Sequence, residues 1–116
     1  MYIMTCYIQV TNQNKEELLT ISRALIARAK ESLGCLSFRL LEDQEHPGNY
    51  MFLERWSKRS DLLAYIESDE CQVFMQRLSE MITRATNIEL HTIELTEETG
   101  FERDKKSTTE DIVVNS

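Results

Sequence analysis

The sequence predicts an α+β domain in which one antiparallel sheet carries helices on one face. Three observations predict it. Extended and helical patterns follow one another in the order β-α-β-β-α-α-β. A hairpin, Gly34 to Trp56, sits at the centre of the chain and runs directly into a short helix. The strand patterns carry apolar residues on both faces, whereas the helical patterns carry them on one stripe. With right-handed crossovers, this order folds as a ferredoxin-like split βαβ sandwich.

The first strand is Met1 to Val10. Tyr2, Met4, Cys6, Ile8 and Val10 give one wholly apolar face, and Ile3, Thr5, Tyr7 and Gln9 a mixed one. The apolar face belongs against the helices, and the mixed face against a cavity or a partner. Thr11 to Asn14 breaks the strand, and Asn14 with Glu17 has the spacing of a capping box. Leu18, Ile21, Leu25 and Ala29 then recur at helical spacing to about Ser32, with Gly34 as the stop.

Gly34 to Glu42 is the second strand and Tyr50 to Trp56 the third. Between them His46-Pro47-Gly48-Asn49 is a turn, with proline fixing φ at its second position and glycine free to take a positive φ at its third. A short helix from about Ser60 carries Leu62, Leu63, Tyr65 and Ile66, and Ser57 or Ser60 is placed to cap it. Ser68 or Asp69 is placed to cap the next helix, whose stripe is Cys71, Phe74, Met75, Leu78, Met81, Ile82 and Ala85. Asn87 to Thr96 returns to alternation, with Ile88 and Leu90 on one face and Ile93 and Leu95 on the other. The domain is therefore expected over residues 1–96, and the charged, polar stretch 97–116 reads as a tail holding one β-prone island, Ile112 to Val114.

A layer of helices covers only one face of the sheet. The other face needs cover, which a two-fold homodimer would supply. A length of 116 residues fits one domain with a modest core. A net charge of −7 gives no footprint for nucleic acid and disfavours an anionic membrane surface. Cys6, Cys35 and Cys71 are an odd set without C-x-x-C spacing, and the apolar start lacks the length and basic flank of a signal peptide. These features are expected of reduced thiols in a soluble, cytoplasmic protein. His46 and His91 join no cluster with metal-ligand spacing, so no metal is expected.

Phe52, Glu54 and Trp56 alternate on one side of a strand, so a carboxylate lies between two aromatic rings. A desolvated carboxylate has a raised pKa and can serve as a base near neutral pH. The competing structural reading pairs Glu54 with an arginine and makes Trp56 plain core. His91, on the last strand, could reach a pocket or serve as a satisfied structural residue.

Gly34-Cys35-Leu36, then Glu54-x-Trp56, then a short Leu-rich helix ending at Ser68, resembles the antibiotic biosynthesis monooxygenase (ABM) family over roughly residues 1–96. The resemblance implies a dimeric α+β barrel. It also implies a monooxygenase without a cofactor, acting on a small quinol, phenol or polyketide-like substrate that itself supplies the electrons. In that chemistry Glu54 or His91 would accept the proton. Tyr7 and Tyr65 would orient the substrate, and Phe52 and Trp56 would wall the pocket.

Relatives often carry histidines where this chain has Tyr65 and Asp69. The haem-degrading branch uses asparagine, tryptophan and histidine where this chain has Tyr7, Tyr65 and Met75, so haem is not expected. Two rival readings on the same scaffold are a non-catalytic barrel that binds a small aromatic or hydrophobic ligand, and an isomerase or degrading enzyme for a small signalling molecule.

Overall fold

A computed structural model of the protein describes residues 1–84, 87–94 and 100. The element order is β1 (Tyr2–Gln9), α1 (Lys15–Lys30), β2 (Cys35–Glu42), β3 (Asn49–Trp56), α2 (Arg59–Ile66), α3 (Asp69–Met81) and β4 (Asn87–Thr92). The four strands form one antiparallel sheet in the order β2-β3-β1-β4. This is the ferredoxin-like α+β arrangement that the element order predicts. The readings of Leu95, Ala85 and the 97–116 tail lie outside the described residues.

The faces of β1 divide as its alternation requires. Cys6, Ile8 and Val10 are buried among the helices with Leu18, Leu25, Phe74 and Leu78, while Tyr7 on the other face is 43% exposed. Register carries the division across the sheet, since Met4 pairs with Glu54, Cys6 with Phe52 and Ile8 with Tyr50. Ile88 pairs with Cys6 and Leu90 with Met4, so the apolar pair of β4 faces the helix side too, at its thinly covered edge. Far from the helices, Ile3, Tyr7, Met51, Leu53 and Leu41 spread over the open face.

The hairpin turn forms as its residues predict. Gly48 takes φ +96, and the Asn49 N–H donates to the His46 carbonyl at 3.1 Å. Gly34, four residues beyond the end of α1, takes φ +83, and its carbonyl accepts from the Ser57 N–H at 2.8 Å. A Cβ at Gly34 would collide with the Asp61 side chain. β2 holds an irregularity that simple alternation does not reveal. Register shifts between Cys35 and Ser37, and Leu36 is left 52% exposed outside the regular pairing.

Helix caps depart from expectation in two places. Asn12–Asn14 forms a 3-10 turn, which draws Asn14 into helical φ, ψ (−94, −1) and away from the extended conformation a capping side chain needs. The capping box with Glu17 is not made. At α2 the cap position is Lys58, without a side-chain cap, rather than Ser57 or Ser60. At α3 Ser68 is the cap as expected, its Oγ accepting from the Cys71 N–H at 3.3 Å. α3 ends at Met81, where Ile82 turns extended and bridges to Val10.

Candidate functional site

The site begins with the alternation of β3. Phe52, Glu54 and Trp56 all point to the helix side, and all three are buried. Glu54 is only 3% exposed. Its β-sheet neighbours are Met4 on one side and Phe38 on the other, both apolar. From above, α2 brings Tyr65 and α3 brings Cys71, Phe74 and Leu78. Trp56 and Tyr65 lie with ring centroids 5.1 Å apart, and Phe38 meets Tyr65 edge-on at 5.7 Å.

These residues leave a cavity of about 140 Å³ between the sheet and helices α2 and α3. Glu54, Phe38, Phe52 and Leu78 are among its buried residues, while Met4, Ile66, Gln72, Met75 and Ile88 are more exposed and mark its rim. A wider groove of about 480 Å³ lies on the surface between α1 and α2; it shares Leu25 and Tyr65 with the cavity, but it is lined by Arg28, Glu31, Asp61 and Glu70 and does not reach Glu54.

Glu54 Oε1 accepts from the Trp56 indole N–H at 3.1 Å. Among the described residues, no arginine or lysine forms an ion pair with it. Burial therefore dominates its titration and raises its pKa from the usual value near 4.5 to about 7, with the indole hydrogen bond opposing the rise. A carboxylate poised there can hold or release a proton near neutral pH. Tyr65 and Cys71 share the same wall of the cavity. Burial, with the nearby Cys71 and Glu54 charges, pushes the Tyr65 hydroxyl well above the ordinary tyrosine range.

Sequence reasoning did not place the cysteines in this site. Cys6 and Cys71 both line the cavity. Burial, then the Glu54 charge, then Cys71, raises the Cys6 thiol to about 11. Burial also raises Cys71 and Cys35. Thiols so placed stay protonated and act as small polarizable wall groups. The signal was present in the chain, since Cys6 alternates with Met4 and Ile8 and Cys71 begins the α3 stripe. Only the packing of α3 over the sheet brings them together.

Of the six residues singled out from sequence, Phe52, Glu54, Trp56 and Tyr65 come together on the helix side. Tyr7 and His91 do not. Tyr7 follows Cys6 and so faces the open side of the sheet. His91 pairs with Ile3 on that same side, where it faces Glu89 at 3.4 Å. The expectation that His91 reaches the pocket fails for a geometric reason: its register position sends it through the opposite face from Glu54. No group of three or more metal-ligating side chains occurs among the described residues.

Residues 1–77 match the family model described as Antibiotic biosynthesis monooxygenase. The chain belongs to that family. It is 23% identical over 86 residues to the uncharacterized protein sll1783 of Synechocystis, covering 74% of this chain and 58% of that protein. It is 20% identical over 88 residues to "Putative monooxygenase YcnE" of Bacillus subtilis, covering 76% of this chain and 93% of that one. Among solved structures, that of "a putative antibiotic biosynthesis monooxygenase" from Deinococcus radiodurans superimposes with a TM-score of 0.79 at 17% identity. It covers 86% of this chain and 100% of that one. This likeness concerns the ABM fold. Of the two positions where ABM relatives often carry histidine, Tyr65 lines the cavity and Asp69 is exposed at the start of α3.

Proposed function

We propose that this chain is a monooxygenase-type enzyme that oxidises a small quinol, phenol or polyketide-like substrate, with Glu54 as proton acceptor. The observation that carries the reading is a buried carboxylate, free of any cationic partner among the described residues, on the wall of an apolar cavity. Glu54 takes the hydroxyl proton and leaves an electron-rich phenolate in a site of low polarity. The phenolate ring reacts with O₂. For a phenol, one oxygen atom becomes the second carbonyl of a quinone and the other leaves as water, so the substrate supplies all the electrons. Tyr65 and Phe52 orient and enclose the ring, while Trp56, which does not line the cavity, holds Glu54 through its indole N–H.

Oxygen uptake by the purified protein, against hydroquinones, dihydroxynaphthalenes and anthrones, tests this. Saturable uptake above autoxidation is expected with at least one of these compounds. Glu54→Gln is expected to lower it by roughly 10²-fold, and His91→Ala, on the far face, to leave it intact. Uptake unaffected by Glu54→Gln would remove Glu54 from the chemistry. Tyr65 and Asp69 at the usual histidine positions favour a second reading, a barrel that binds a small aromatic without turnover.

We further propose that residues 1–96 form the folding unit, 97–116 its tail, and that two copies pair through the open sheet face. Three free thiols suit a reducing, cytoplasmic setting. Among the described residues no helix is long and apolar enough to cross a membrane.

A further inference from the structure

We infer that the Glu54 cavity takes neutral one-ring phenols and rejects both anionic and fused-ring aromatics. This rests on the reading of the cavity as the substrate site and narrows it. Charge and size carry the argument separately.

Among the described residues, Glu54 is the one formally charged residue in the lining, and no lysine or arginine joins it. A carboxylate, phosphate or sulfate on the ligand would be buried without a cation, near a group that is itself negative whenever it acts as a base. A phenolic hydroxyl meets the opposite situation, because it donates to the carboxylate and satisfies it. The cavity therefore selects for a hydroxyl and against a second anion.

A volume of about 140 Å³ is close to the roughly 150 Å³ of an engineered apolar cavity that holds benzene. One substituted ring fills it, and a fused second ring overfills it. The aromatic walls are stiff: Phe38, Phe52 and Phe74 pack edge to face with one another or with Tyr65. Give exists mainly at the rim, where Met4 and Met75 are flexible. The ligand then enters hydroxyl first, towards buried Glu54, with any small apolar substituent left at the methionines.

Trp56 is the only tryptophan and its indole holds Glu54, so its emission reports events at the carboxylate without turnover. The experiment is anaerobic titration calorimetry of the full chain with p-cresol, 4-hydroxybenzoate and 2-naphthol, with Trp56 emission as second readout. p-Cresol is expected to bind once per chain, about tenfold or more tighter than the other two. Glu54→Gln, which keeps an acceptor for the indole, is expected to narrow the gap between p-cresol and 4-hydroxybenzoate. Equal binding of either competitor, no p-cresol binding, or an unchanged gap in Glu54→Gln would overturn the inference. Bound p-cresol with no oxygen uptake on any of the hydroquinones, dihydroxynaphthalenes or anthrones would sink the monooxygenase reading and leave the ligand class standing. Naphthol turnover with p-cresol rejected would do the reverse.

Discussion

Glu54 illustrates how one residue acquires chemistry from its surroundings. Its pKa, raised to about 7 by burial, means that the folded chain holds a proton that the unfolded chain has lost between about pH 4.5 and 7. The folded state binds more protons in that window, so stability falls as pH rises through it. The shift corresponds to about 3 kcal/mol, fully expressed above pH 7. Urea denaturation at pH 5 and pH 8 is expected to show that loss in the wild type and to show it removed in Glu54→Gln. Equal pH dependence in the two proteins would mean that Glu54 is solvated. With Glu54 as the proposed proton acceptor, the same titration is expected to make oxygen uptake rise with pH through about 7. Part of this was legible beforehand, since Phe52, Glu54 and Trp56 alternate on one strand face. The absence of a cationic partner among the described residues was not, because no local pattern excludes an arginine from a distant element.

Elements are fixed by a few residues with narrow conformational duties. Gly34 combines a positive φ with contact against Asp61. Gly34→Ala is expected to cost about 1–3 kcal/mol in chemical denaturation, through both strain and the clash. Ser68 caps α3, the helix that roofs the cavity, so Ser68→Ala is expected to cost about 1 kcal/mol. A Ser68→Ala variant as stable as the wild type would show the cap to be redundant. Ser68 and the Pro47-Gly48 turn were readable because their roles depend on near neighbours. Asn14 was misread because a 3-10 turn, not an extended cap, leads into α1. The two routes share the same polar sequence, and propensity alone does not separate them.

The whole molecule has two unlike sheet faces. The helix side buries the core and the Glu54 cavity, while the open side carries Ile3, Tyr7, Leu41, Met51 and Leu53 beside Arg39, Arg55, Glu89 and His91. Apolar area of this kind gains from cover by an identical face. Leu53→Arg, at the centre of β3, is expected to convert a dimer into a monomer in analytical ultracentrifugation while the far-UV spectrum is kept. A dimer that persists in the variant would place the interface elsewhere. Because the cavity lies on the other side of the sheet, ligand binding is expected to survive dissociation.

The sequence by itself determined the element order, the burial stripes, the hairpin turn and the pairing of Glu54 with two aromatic rings, all of which follow from periodicities of two or 3.6 and from local backbone rules. Tertiary structure alone decided which candidates share a site. Tyr7 and His91 carry suitable chemistry but sit at register positions that send them through the open face. Cys6 and Cys71 read as apolar-face positions and reduced thiols rather than as site residues, yet they line the cavity. A strand's alternation shows that it has two faces, and only pairing with its neighbours shows which residues of different strands meet on each.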